Sequence, residues 1–408
     1  MPESVSSNAS YSLCKEEENK KQIGWLQVSI ALTRSMVGTS AFTMSSTFSK
    51  SGYLWSGIQI VLCAGFSFIS LFLLFLCANK KSNFSYQSLV GKKLGRVSFF
   101  FLNIMVLGAE FFSLLKGLSS AVTLLGLILD WHQWTLTLCI AALVFLLTFA
   151  KNNTIIPKIG ESMLNIFNYT NFIILVYFIA TVIVQTCERP TLDIVMFNFV
   201  GTFGTFSKAF VSYSGQVNLL DILSKVNSYE RDNIPWAIGL ATFITCAFYL
   251  AVGALGYLTF GETFPSSNLL VVYGSNNTVI YICIIASMVL VLVYLHFRLK
   301  PLKDVLEWIF TRKTDSVKGF WRFTLYLLAI TIACPIVIFW SSVDPYAELI
   351  KAILEPGIIF LFPILLYRKM YFKRFWDVWN FLIVLLYLLW VALNIFCFIR
   401  SDLGFCSS

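Results

Sequence analysis

Charge is what this chain has least of. Charged residues make up 12% of its 408 residues, and only 2 histidines are present. A soluble fold of this length needs a charged surface over its core, and these residues are too few to build one. Strand-length stretches of alternating polarity, the mark of a membrane β-barrel, are also missing. The 10 cysteines are scattered, mostly inside apolar runs (Cys63, Cys139, Cys246, Cys283, Cys334, Cys397). They show neither metal-ligand spacing nor a paired framework, and read as small buried hydrophobes. No metal or cofactor site is expected. Cys187 and Cys406 both fall on the outer side, where one disulfide could form. Residues 1–22 are polar, carry EEENKK, and do not read as a cleavable leader.

Apolar residues are abundant, at 58%, with 39 phenylalanines. They come in runs long enough to cross a bilayer, which takes about 20 residues per helix. Lipid offers no partner to free backbone groups, so runs apolar on all sides imply helices. The pattern predicts an all-α, polytopic membrane protein with eleven spans: 24–50, 55–77, 97–128, 134–150, 163–186, 201–225, 235–258, 278–297, 320–340, 345–367 and 377–399. No soluble domain is inserted between them.

The basic residues test that count. With the N-terminus inside, only Lys50, Arg189 and Arg400 fall outside, and Arg34, Lys116, Lys208 and Lys351 fall within spans. Every other Lys or Arg lies on the inner side, as the positive-inside rule requires. The formal charge of +9 is therefore a topology signal, not a sign of nucleic-acid binding. The sequon at Asn276 is outside. Those at Asn8, Asn83 and Asn152 are inside, and Asn168 lies in span five.

Two spans are interrupted. Residues 33–52, TRSMVGTSAFTMSSTFSKSG, open the first half of the chain, and FVSYSGQVNLL, residues 210–220, lies in the first span of the second half. Interrupted helices at matching places in two halves point to a transporter's binding site. Half-helix N-termini hold a carboxylate, and freed carbonyls hold an ammonium group or cation. Small residues that merely let helices approach are the plainer alternative.

The chain resembles the amino acid/auxin permease family of secondary transporters. MVGTSAFTMSSTFSKSGY, SYQSLVGKKLGR, FVSYSGQVNLLDIL, FYLAVGALGYLTFGETFPSSNLL, LKPLKDVLEWIF and EPGIIFLFPILLY occur in the family's order and spacing, over residues 25 to about 370. The resemblance implies a LeuT-like inverted repeat of five plus five helices with one extra, helices one and six being unwound. The repeats would be residues 23–186 and 200–367, after a cytosolic tail 1–22. The eleventh helix would be 377–399, followed by a short outside tail 400–408. The resemblance further implies that an amino acid carboxylate meets Val37, Gly38, Thr39 and Ser40, and that the amine and side chain meet Ser212, Tyr213, Ser214, Gly215 and Gln216. Tyr213 and Gln216 would shape the side-chain pocket. The small polar lining points to neutral substrates.

The intramembrane charges suggest a coupling route. Arg34 and Glu110 lie about 15 Å and 20 Å into their spans at the helical rise. Charges that deep are usually paired, so either they pair or Arg34 faces the ligand cavity. Arg34 also departs from the family: many members have Asn there, in a region that helps hold sodium. Ser287, the only serine of span eight, is about two turns from the expected place. A guanidinium repels a second cation. Coupling by protons through Glu110 or Asp221, or exchange, is therefore expected in place of sodium coupling. Glu348, Lys351 and Glu355 read as a helix-face ladder, and Lys116 and Lys208 as reaching towards the outer interface. His132 lies between Trp131 and Trp134 in an outer turn, and His296 near the inner end of span eight.

An enzyme would need an intramembrane nucleophile with a base, and a channel a repeated pore loop or charge rings. Neither is visible. An amino acid-sensing receptor without net flux remains as the alternative. The membrane is the plasma membrane or an internal, vacuole- or lysosome-like one.

Overall fold

A computed structural model describes residues 23–78, 85–152, 173–174, 176–187, 194–199, 201–226, 228–261, 264, 268–274, 278–311, 320–372 and 378–402. The described residues are overwhelmingly helical. The first half holds α1 (Trp25–Met36), α2 (Ser40–Ser51), α3 (Tyr53–Cys77), α4 (Tyr86–Leu94), α5 (Arg96–Gly126), α6 (Gln133–Asn152) and α7 (Val176–Cys187). The second holds α8 (Thr202–Ser212), α9 (Gln216–Leu223), a 3₁₀ turn (Ser228–Asn233), α10 (Ile234–Phe260), α11 (Leu269–Tyr273) and α12 (Thr278–Thr311). It continues with α13 (Phe320–Ile338), α14 (Trp340–Pro356), a π-turn (Gly357–Leu361), α15 (Phe362–Tyr371) and α16 (Val378–Asp402).

Six of these are long and apolar enough to cross a bilayer: α3, α5, α10 with its preceding turn, α12, α14 running through the π-turn into α15, and α16. Apolar stretches of α6, α7 and α13 are shorter. The expected spans 24–50 and 201–225 are each split into two short half-helices, α1/α2 and α8/α9. The inner tail, Asn8, Asn83, Asn168, Asn276 and Cys406 lie outside the described residues. The proposed Cys187–Cys406 pairing is among these.

The two broken segments lie side by side. At one end Ile23 donates its N–H to the Lys225 carbonyl at 3.0 Å and forms a parallel bridge with Val226. α10 packs along α1, α2 and α3, while α5 packs along α12. Val28, Leu32 and Met36 recur at four-residue spacing on α1 and are buried, so one face of that half-helix is fixed in the core. The α2–α3 corner needs glycine: Gly52 has φ +86°, and a Cβ there would meet the Met196 backbone at 2.9 Å. α16 is largely exposed and apolar, with Phe381, Leu385, Leu388 and Phe396 facing outward, as a lipid-facing helix would be.

One expected boundary is corrected. Span eight was expected to end at 297, leaving Arg298 and Lys303 in an inner loop. α12 runs to Thr311, and both residues are buried. Leu295, Leu299, Leu302 and Val305 continue the helical stripe past that point, and all four are buried. Their burial carries the helix through Pro301, at which an isolated helix would break.

Candidate functional site

α1 stops because Val37 turns extended (φ −79°, ψ 99°), and α2 restarts at Ser40 with Ala41 and Phe42 donating to the Gly38 and Thr39 carbonyls. α8 stops at Tyr213. Ser214 and Gly215 are non-helical, and α9 restarts at Gln216. Eight of the nine residues expected at the two breaks are buried, and Ser40 is half-buried. The breaks are in contact: a Cβ on Gly215 would lie 3.1 Å from Ser35 Oγ and 3.3 Å from Met36 Cγ.

Breaking both helices frees the last carbonyls of α1 and α8. The hydroxyl of Tyr249, on α10, lies between them. It donates to Met36 O at 2.9 Å and to Ser212 O at 3.1 Å. Its one hydrogen is shared by two carbonyls from different half-helices, so Tyr249 ties the two breaks together. It was not singled out in the sequence, because one tyrosine in an apolar span looks like core. Tyr249→Phe would leave both buried carbonyls without this donor, costing about 1–3 kcal/mol. The expected result is a lower thermal-unfolding midpoint in detergent together with reduced labelled amino acid uptake. Wild-type values for both would show that the hydroxyl is dispensable.

Gln216 and Tyr213 are more enclosed than a pocket-lining role suggests. Gln216 Oε1 accepts from the Gly215 N–H at 2.9 Å, capping α9 with its own first side chain. Its Nε2 donates to Ser67 and Ser70 on α3 at 3.5 and 3.4 Å. Ser67 Oγ in turn donates to the Tyr213 carbonyl at 3.1 Å. The Tyr213 ring meets Tyr249 edge-on, with centroids 5.4 Å apart. Ser212 Oγ donates back to the Lys208 carbonyl at 2.7 Å. These groups hold the shape of the second break.

The Arg34–Glu110 pair is not formed. Glu110 accepts two contacts from Arg298 Nη1, both at 3.1 Å, in a buried pair between α5 and α12. Arg34 lies with its guanidinium 3.6 Å from the centre of the Phe297 ring. The reason is that α12 continues past 297: the next residue, Arg298, stays on the helix and faces Glu110, while Arg34 stacks on the adjacent Phe297, a cation–π contact. Arg298 also reaches the first break, with Nη2 donating to Ser35 O at 3.5 Å. Tyr294, one turn earlier, lies against Gly38. The overlooked site residues, Arg298 and Tyr294, thus come from α12. The leucine spacing beyond 297 was the signal that could have placed Arg298 on the helix; Tyr294 already lay inside the expected span, where a lone tyrosine looks like core.

The remaining intramembrane charges are also redistributed. Lys116 and Lys208, expected to reach towards the outer interface, share one partner. From α5 and α8 they both hold Glu348 of α14, at 2.9 and 2.7 Å. Glu348 is therefore a bridge among three helices and leaves the expected ladder, of which only Lys351–Glu355 remains, at 3.9 Å. Asp221, on α9, pairs with Lys225 at 3.3 Å and with Lys300 of α12. It borders a cavity of about 170 Å³ that also touches Gln87, Asn218 and Asp304. Glu110 and Asp221 are therefore both occupied by cations. Among the described residues no group of His, Cys, Asp and Glu is arranged to hold a metal ion.

Comparison with known proteins agrees with this architecture. The family described as transmembrane amino acid transporter protein matches residues 21–404. Vacuolar amino acid transporter 7 of Saccharomyces cerevisiae (strain ATCC 204508 / S288c) is 29% identical over 116 residues, 28% of this chain; the match spans 24% of that relative's length. The solved structure of a Na+-coupled sialic acid symporter, in a substrate-bound outward-open state, superposes with a TM-score of 0.63 at 12% identity. It covers 87% of this chain and 80% of its own. At that identity the likeness is one of fold: a LeuT-like transporter architecture. The family match spans nearly the whole sequence, and the chain belongs to the transmembrane amino acid transporter family, the amino acid/auxin permeases that its motifs resemble.

Proposed function

We propose that this chain is a secondary transporter that moves small neutral amino acids across an internal, vacuole-like membrane by alternating access. The observation that carries the reading is the contact between two helix breaks in the core, with the Met36 and Ser212 carbonyls turned to a single hydroxyl. The restarting N-terminus of α2, at Val37 to Ser40, suits a carboxylate, and the freed carbonyls suit an ammonium group. An α-amino acid carries both on one carbon. The eleven-span count, the five-plus-five repeat and the cytosolic N-terminus belong to the same reading, and the basic residues crowded on one side support them. The name of the yeast relative supports amino acids as cargo and the vacuole as location.

In this reading the coupling ion is a proton, or the protein exchanges one amino acid for another. Two guanidinium groups, Arg34 and Arg298, flank the first break, and Arg298 already donates to the Ser35 carbonyl. A sodium ion placed there would meet like charge. The test is uptake of a labelled amino acid panel into proteoliposomes, under an inward proton gradient, an inward sodium gradient, and neither. Uptake without sodium is expected. Sodium-driven uptake would refute the coupling assignment. Binding without any flux would favour the sensing receptor.

A further inference from the structure

Glu355 lies at the last turn of α14, immediately before Pro356 and the π-turn. It is 1% exposed. Neither of its carboxylate oxygens accepts a hydrogen bond among the described residues. Its nearest cation, Lys351 on the same helix, stands at 3.9 Å, beyond hydrogen-bond reach. The other acids near the site differ: Glu110 is held by Arg298, Glu348 by Lys116 and Lys208, and Asp221 by Lys225 and Lys300.

We propose that Glu355 is the proton-binding carboxyl of the transport cycle, a role that rests on the transport reading above. A carboxylate only accepts hydrogen bonds, and buried acceptors are normally met by donors. A bound proton removes the charge, and a neutral carboxyl is far less costly to bury without donors than a carboxylate. The groups around Glu355 explain how binding of that proton would be felt at the substrate site. Lys351 faces it from its own helix. Glu110 of α5 and Arg298 of α12 are close enough for their charges to interact with it, and the neutral phenol of Tyr294, also on α12, lies nearby. Asp344, Glu348 and the lysines bound to Glu348 lie nearer the start of α14, with Lys116 and Asp344 close enough to interact with Lys351, and these two acids and two lysines add no net charge. On α16, the Tyr387 hydroxyl is committed to the Ile353 carbonyl at 2.9 Å. Glu110, Arg298, Lys351 and Glu355 together carry two charges of each sign. Proton binding leaves one excess positive charge in a network whose Arg298 touches the first break at Ser35. A substrate carboxylate at Gly38–Ser40 is attracted by that excess. Proton and substrate therefore bind together, each strengthening the other by the same factor.

The test compares wild type and Glu355→Gln in proteoliposomes, measuring uptake driven by an inward proton gradient and exchange without any gradient. The ratio of driven uptake to exchange is expected to fall at least about tenfold in the variant. An unchanged ratio overturns the proposal, whatever the absolute rates. Substrate affinity in detergent between about pH 5 and pH 8 reads the same linkage without flux. Wild type should bind at least about fivefold more tightly at the acid end, and Glu355→Gln should be flat. A variant as pH-dependent as wild type also overturns it. Wild-type flux that ignores the proton gradient sinks this role for Glu355 and leaves transport intact. Absence of flux for every amino acid removes the transport reading and this role together.

Discussion

Glu110→Gln is expected to destabilise the protein by about 3–5 kcal/mol, the usual consequence of breaking a buried ion pair from one side. The variant keeps the shape of the side chain and removes its charge. Arg298 then stays buried between α5 and α12 with its nearest counter-charge gone, since both contacts at 3.1 Å run to Glu110. The midpoint of thermal unfolding in detergent should fall by about 5–10 °C. Glu110→Met combined with Arg298→Met removes both charges and should recover most of that loss, because an apolar pair of similar volume is often no worse than an ion pair. The double variant should nevertheless transport poorly, since Arg298 also donates to Ser35 at the first break. A Glu110→Gln midpoint within a degree or so of wild type would show that the pair is not what holds α5 to α12.

Gly38→Ala should abolish transport while leaving the fold in place, with initial uptake down at least about a hundredfold. A Cβ on Gly38 would drive into the Tyr294 ring, where even the third-nearest ring atom, Cζ, is only 2.8 Å away. Tyr294 is itself buried, so the ring has little room to retreat. The α1–α2 break must then shift from α12, and displacement of a binding group by about 1 Å is enough for an effect of this size. Two comparisons isolate the cause. Gly65→Ala, on α3, meets nothing within 4 Å and should transport within about twofold of wild type. Tyr294→Val should restore part of the activity of Gly38→Ala by making space. Normal uptake by Gly38→Ala would mean that the close packing of Tyr294 on the break has no part in transport.

The sequence was informative where a single segment decides its own structure. Lipid cannot satisfy a free backbone group, so an apolar run of span length has to be helical, and α3, α5 and α10 lie within a few residues of where the runs place them. The same is true of the breaks. Gly38 with its hydroxyl neighbours, and Ser214-Gly215, interrupt the apolar pattern locally, and the chain stops being helical at those residues. Six motifs in family order carried the family without any knowledge of packing.

What the sequence could not decide was which charge meets which. Arg34 and Glu110 look matched in depth, but depth along a helix says nothing about the direction a side chain faces. That direction is set by how α5, α12 and α1 are rotated against one another. Only the packed structure places Arg298 on Glu110, Arg34 on Phe297, and both Lys116 and Lys208 on Glu348. Tyr249 was hidden for the same reason. Its hydroxyl matters because two carbonyls, Met36 O and Ser212 O, from half-helices far apart in the chain converge on it. Composition and periodicity fixed where the backbone is helical and where it breaks, since those depend on near neighbours and the surrounding solvent. The pairing of buried charges depends on contacts between residues hundreds of positions apart, and those exist only once the helices have packed.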